Sequence, residues 1–448
     1  MPVIRPPHPH RPRRPRRPRR IAVRLAAAML AVCAPAVAFG GGRADARPAG
    51  ATVAAGAAAP VRLTLPAPTG PHQVGTVSLH LVDRARRDPW VATVPYRELM
   101  VDVRYPAADA DRYPRAPQFS PAEAAAFDAL NNFEGKVPRG RVDWAATLTH
   151  AHQGAPVDRG AGRLPVVVYS PGSGDPRAFG ATLADDLASH GFVVVTVDNT
   201  YEAPGVRFPD GRLARSVLPR EMAGATPARV AALMRKVMAV RVADTRFVLD
   251  EIDALAAGRD PDADHRGLPA GLAGGLDAHR VGMYGHSAGG FTAAETMRVD
   301  HRVSAGADLD GVLGFVPGDH DPANPAPVAR QGLDRAFLLM GKAGNDRHTV
   351  PSWDLLARRS TGWHGSVTPA RSAHASFSDA EAFVPQLTGP LHLSATTVHR
   401  LIGDADPAQV ISGERRYLTA FFDQWLRGGN SHGLLDGSRV PAGFAYVR

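Results

Sequence analysis

The chain has 448 residues, 44% of them hydrophobic and 21% charged, fractions that exclude a wholly disordered or collagen-like polymer. Its formal charge of +9 resides in residues 1–46, which hold ten arginines and one aspartate, so the rest is neutral overall and an electrostatic case for a nucleic-acid partner falls away. The single cysteine, Cys33, lies in the same stretch, which leaves the remainder without disulfides, Cys-ligated zinc or a thiol nucleophile.

Arg11 to Arg20 is a Pro/Arg ladder, Leu25 to Phe39 is a short apolar run, and Ala44-Asp45-Ala46 closes it with small residues. A basic head, an apolar middle and an A-x-A site predict an export signal over 1–46, cut after Ala46, and hence a secreted protein. The apolar run contains Pro35 and falls short of the roughly 20 residues a membrane span needs, so no stable span is expected. Residues 47–65 are Ala/Gly-rich and are expected to be a linker, with one folded domain over 66–448.

Along that domain, Leu99 to Tyr105 alternates as a strand and stops at Pro106. Leu164 to Ser170 is a continuous apolar run ending in Pro171-Gly172. Phe179 to His190 predicts a helix closed by Gly191, and Phe192 to Val197 a second buried strand. A long helix is expected over Val230 to Leu255, a strand over Arg280 to Tyr284, and a helix from Ser287. Val303 to Leu309 and Phe337 to Met340 read as strands. Glu414 to Leu426 reads as a closing helix, with Tyr417, Phe421, Phe422 and Trp425 at helical spacing. Continuous apolar strands separated by helices predict an α/β fold, a mostly parallel central sheet with helices on both faces. Residues 107–160 and 202–228 are long Pro-rich excursions, expected to be lid-like insertions.

Gly285-His286-Ser287-Ala288-Gly289 fits G-x-S-x-G, the nucleophile elbow of α/β-hydrolases. The turn from strand to helix is so tight that side chains at 285 and 289 would collide with their surroundings. It lifts the serine hydroxyl clear of the sheet and sets it at a helix N-terminus, whose free N–H groups favour developing negative charge. The expression also matches Gly429-Asn430-Ser431-His432-Gly433, but that copy follows a helix and reads as a helix cap and turn.

A serine nucleophile needs a base, and the base an orienting acid, in the chain order Ser, acid, His on this fold. His374 lies in a polar loop near the end of the sheet; among the other histidines after Ser287, His348 is its main rival. Two acids stand at strand ends: Asp310 after Val303–Leu309, and Asp346 in Gly341-Lys342-Ala343-Gly344-Asn345-Asp346. Residue pattern alone leaves the two nearly even. For the oxyanion, the loop Pro171-Gly172-Ser173-Gly174 offers the N–H of Ser173 beside that of Ala288.

These segments, with Thr69-Gly70-Pro71-His72-Gln73-Val74-Gly75, Val103-Arg104-Tyr105-Pro106, Asp186 to Phe192, Leu276 to Arg280, Leu309-Asp310, and His374 with Phe377 and Asp379, resemble the platelet-activating-factor acetylhydrolases of the plasma and intracellular type II group and their secreted bacterial relatives. The resemblance runs from about Thr69 to Trp425. It implies the α/β-hydrolase fold and metal-free, cofactor-free hydrolysis of a small-molecule or lipid ester. It maps the family's triad onto Ser287, Asp310 and His374, and its oxyanion donors onto Ser173 and Ala288. Pro171 departs from the family's usual His, and Ser173 from a larger apolar residue. A lipase or polyester hydrolase on the same fold is one competing reading, and a binding protein on a hydrolase scaffold is another. Asp319-His320-Asp321 is carboxylate-rich but lacks a recognised metal-ligand spacing, and no phosphate-binding glycine loop occurs.

Overall fold

Among the described residues thirteen strands carry the architecture: β1 (Gln73–Asp83), β2 (Arg97–Ala107), β3 (Arg115–Pro117), β4 (Leu148–Gln153), β5 (Leu164–Ser170), β6 (Val193–Val197), β7 (Gly205–Arg207), β8 (Leu213–Arg215), β9 (Leu276–His286), β10 (Val303–Leu309), β11 (Ala336–Met340), β12 (His364–Pro369) and β13 (Phe444–Val447). The computed structural model describes residues 59–447 apart from 161 and 317–323. The export-signal segment and Asp319-His320-Asp321 therefore lie outside the described residues. Eleven strands form one sheet in the order β13-β12-β11-β10-β9-β5-β6-β2-β1-β4-β3, and β7 pairs with β8 in a separate hairpin. The six central strands β12, β11, β10, β9, β5 and β6 run parallel, whereas β2 pairs antiparallel with β6 and β13 with β12.

The apolar runs face both ways because side chains alternate along a strand. Val166 and Val168 of β5 enter one core with the helices Pro227–Ala256, Ala288–Val299 and Pro351–Arg359. Val167 and Tyr169 enter the other, with Ala181–Ser189 and Pro407–Arg427. Helices thus cover both faces, as the sequence predicts.

Several boundaries differ from expectation. The segment read as a linker packs before its end: Val61 bridges Val142, and Leu63 and Leu65 are buried. The first Pro-rich excursion is largely core and sheet rather than lid. It supplies β3, β4 and the helix Pro121–Leu130, and its Phe119, Phe127, Phe133 and Trp144 form an aromatic cluster with Phe179 and Phe383. The second excursion forms the β7–β8 hairpin and a short helix, Leu218–Met222. The closing helix starts at Pro407, earlier than its aromatic spacing indicates, because Asp406 caps it by accepting from the Ala408 N–H at 2.9 Å.

Candidate active site

The elbow stands between β9 and the helix Ala288–Val299, with Ser287 at φ 55°, ψ −121°. A non-glycine residue there carries strain of roughly 1–3 kcal/mol, which the neighbours must hold in place. They do so tightly. A Cβ on Gly285 would strike the backbone of Gly289, and one on Gly289 would run into the Ser170 carbonyl at the end of β5. The Ser287 N–H donates to the Leu309 carbonyl at 2.8 Å, which seats the elbow at the end of β10. The second G-x-S-x-G copy follows Gly428, the left-handed cap of the helix Pro407–Arg427, and is a turn as expected.

Asp310, the next residue after β10, is also in the left-handed region at φ 57°. Its N–H donates to the Met340 carbonyl at 2.7 Å, turning the buried carboxylate toward the β11 loop. One oxygen accepts from the Lys342 N–H at 3.0 Å and from Asn345 Nδ2 at 2.8 Å. The other meets His374 Nδ1 at 2.6 Å. Burial works against the charged carboxylate. The hydrogen bond and charge of His374, with the Lys342 ammonium and N–H, outweigh it and hold the Asp310 carboxyl below its ordinary range.

His374 opens a short 3-10 turn, His374–Phe377. With Nδ1 donating to Asp310, its Nε2 keeps the lone pair a general base requires. Its carbonyl accepts from His286 Nε2 at 2.9 Å, and the two rings lie 4.6 Å apart. Among the described residues no hydrogen bond joins the Ser287 hydroxyl to His374; the imidazole stands against the residue before the serine. Such contacts commonly close only in the substrate complex.

Asp346 goes elsewhere. Its carboxylate accepts from the N–H groups of His348 at 2.7 Å and Thr349 at 2.9 Å, capping the turn before the helix Pro351–Arg359. His348, the rival base, is exposed on that turn. The loop that offered Asp346 as the acid instead supplies Lys342 and Asn345 to seat Asp310.

The loop after β5 presses on the elbow, since a Cβ on Gly172 would lie 3.1 Å from His286 Nδ1. Among the described residues neither the Ser173 N–H nor the Ala288 N–H donates to a backbone carbonyl. Residue pattern did not single out Asn131, Asp175 or His286. Asn131 donates to the Gly174 carbonyl at 3.0 Å and to Asp175 at 2.7 Å, and Asp175 lies 3.7 Å from His286 Nδ1. Burial first, then the neighbouring His374, lowers the His286 pKa against the pull of Asp175. His286 was visible as the variable position of the elbow, but nothing in its spacing marked it as a strut.

A cavity of about 270 Å³ lies beside β1, β2 and the helix Pro121–Leu130, lined by Asp102, Arg104, Gln118, Glu123, Arg177 and Phe208 among others. Neither Ser287 nor His374 borders it. No cluster of three or more metal-ligating side chains occurs among the described residues, and no described helix is long and apolar enough to cross a membrane.

A serine on a strained elbow, at a helix N-terminus and beside an imidazole held by a buried carboxylate, suits acyl transfer. The fold and this arrangement define an α/β-hydrolase, and the comparisons with known proteins make it a carboxylic ester hydrolase. Residues 58–328 match the family model described as platelet-activating factor acetylhydrolase, isoform II. The chain belongs to that family. It is 27% identical over 398 residues to a protein of Arthroderma benhamiae named as a probable 1-alkyl-2-acetylglycerophosphocholine esterase, covering 85% of this chain and 93% of that one. A ferulic acid esterase from Streptomyces cinnamoneus, of solved structure, aligns with a TM-score of 0.67 at 32% identity, covering 86% of this chain and 99% of the other.

Proposed function

We propose that this chain is an exported serine esterase acting on short-chain acyl esters, with Ser287 as nucleophile, His374 as general base and Asp310 as the orienting acid. The observation that carries the assignment is the 2.6 Å contact of His374 Nδ1 with Asp310, next to the strained elbow of Ser287. In this reading His374 Nε2 removes the hydroxyl proton as Ser287 Oγ attacks the ester carbonyl. The N–H groups of Ser173 and Ala288 hold the oxyanion. Asp310 keeps the imidazole in the required tautomer and balances its positive charge. His374 then protonates the leaving alkoxide, the alcohol departs, and water activated by the same imidazole releases the acid.

Burst kinetics with p-nitrophenyl acetate test this directly. The wild-type chain should release nitrophenol in a burst and then at a steady rate; Ser287→Ala should show neither, and wild-type turnover in that variant would sink the assignment. The two esterase relatives point to different acyl groups, an acetyl and a feruloyl. Comparing a 2-acetyl glycerophosphocholine, acyl esters of increasing length and methyl ferulate decides between them, and we expect the acetyl ester to be preferred. Export rests on the basic, apolar and small-residue order of residues 1–46. Recovery of the chain from culture medium with Arg47 as its first residue would support it; an intact N-terminus on a cell-retained chain would refute it.

A further inference from the structure

The loop that carries Ser173 is gripped from beneath by a buried guanidinium. Arg241, on the interior face of the helix Pro227–Ala256, is 1% exposed. Its Nη1 donates to the Pro171 carbonyl at 2.6 Å and its Nη2 to the Gly172 carbonyl at 3.1 Å. Its Nε donates at 2.8 Å to Glu202, which is itself wholly buried. The fork of one guanidinium therefore spans two successive carbonyls while a carboxylate fixes its plane.

That grip has a directional consequence. A trans peptide is planar, so its C=O and N–H point to opposite sides. Pinning the Gly172 carbonyl on Arg241 sends the Ser173 N–H the other way. The Gly172 carbonyl also accepts from the Asp175 N–H at 3.2 Å, and the Gly174 carbonyl accepts from Asn131. The peptide before Ser173 and the one after Gly174 are thereby held.

We infer that Arg241, seated by Glu202, is a positioning residue that aims the Ser173 N–H at the oxyanion. This rests on the proposed reading of Ser287 as nucleophile and Ser173 as donor. Burying an ion pair costs desolvation that its attraction need not recover, so stability alone is a weak reason for one here. Lysine would keep the charge but not the fork, because a single ammonium cannot match two carbonyls and a carboxylate in one plane.

The test uses the full chain with three variants: Arg241→Lys, the double variant Arg241→Met with Glu202→Met, and Ser287→Ala. The double variant removes both buried charges together, so no unpaired ion is left to unfold the protein. For Arg241→Lys and the double variant, each checked for a cooperative thermal transition, kcat for p-nitrophenyl acetate should fall about ten- to hundredfold. That is less than the 10²–10³ expected for outright loss of a donor. KM should stay within about twofold, and affinity for a trifluoromethyl ketone that adds to the serine should fall in parallel with kcat. A merely structural arginine would not move kcat and adduct affinity together at constant KM. Wild-type kcat in either folded variant, or a change confined to KM, overturns the inference. Full turnover in Ser287→Ala overturns the underlying mechanism instead, so the two failures are distinguishable.

Discussion

Two aspartates at neighbouring strand ends differ in what their oxygens can reach. Asp310 is turned inward by its left-handed backbone and the Met340 carbonyl, and collects Lys342, Asn345 and His374. Asp346 spends its acceptors on the turn that follows it. Asp310→Asn should therefore lower kcat by about 10³–10⁴, as expected when the imidazole takes the wrong tautomer. Asp346→Asn should leave kcat within a few-fold and change stability by under about 0.5 kcal/mol, because the amide oxygen can still accept from the same N–H groups. Steady-state kinetics on both variants check this, and a large loss confined to Asp346→Asn would reverse the assignment. Spacing left these acids nearly even because both follow β-strands in polar loops. What separates them is a backbone angle, which sequence does not display. The family resemblance chose Asp310, and its other quoted segments also prove to be contacts. Thr69 bonds Asp186 through its N–H at 2.8 Å, and the Gly70 N–H bonds Ser189 at 2.9 Å. Asp379 accepts from the Ala181 and Thr182 N–H groups at 3.1 and 3.0 Å, tying the stretch after His374 to a helix start. Arg241 and Glu202 were legible only as types: Arg241 stands on the same stripe as Val237 and Val248, a charge where an apolar residue is expected.

At the scale of elements, long apolar periodicity was readable and short irregular pieces were not. β5, β6 and β10 are continuous runs buried on both sides, and their expected limits agree with the structure to within a residue. β3 has three residues and β4 six, of mixed polarity on a sheet edge, so neither shows a period. Their aromatic neighbours decide what the first excursion does. Trp144 packs edge-on to Phe127 with ring centroids 5.0 Å apart, bonds Asp128 through Nε1 at 3.1 Å, and reaches Phe383 at 6.2 Å. Phe383 belongs to the helix Ala380–Thr388, just after the turn that carries His374. A mobile lid would tolerate loss of this ring, whereas a core element would not. Trp144→Ala should cost about 3–5 kcal/mol by denaturant unfolding, in the range for a large aromatic deleted from a core. A loss under about 1 kcal/mol, typical of a surface substitution, would return the excursion to the status of a lid.

Over the whole molecule, the two faces of the sheet are apolar, and three buried acids with raised pKa values, Asp379, Glu381 and Glu414, lie near the helices behind His374. Burial pushes the Glu381 carboxyl up to about 8 from its ordinary 4.5, against the pull of the Ser376 hydroxyl. Glu414, on the helix Pro407–Arg427, is also raised by burial and then by the nearby Glu381. Asp310 shifts the opposite way, so its contribution is present above the ordinary carboxyl range and disappears as the pH falls through its lowered value. For Glu381 the sign reverses. Folding retains a proton that the unfolded chain has released, so the favourable term is complete below pH 4.5 and is lost as pH rises through about 8. The amide in Glu381→Gln cannot ionise, and its removal also relieves Glu414 of a neighbouring charge. Thermal melts from about pH 5 to pH 9 at fixed ionic strength should therefore diverge. Near pH 5 the two proteins should have similar Tm values, and the wild-type Tm should fall further with rising pH, leaving the variant the more stable at pH 9. Melts extended below pH 4 should show an acid limb common to both, because Asp310 is unchanged. Parallel curves across the whole range would mean that water or local opening reaches Glu381, and that the interior behind the His374 turn does not exclude charge.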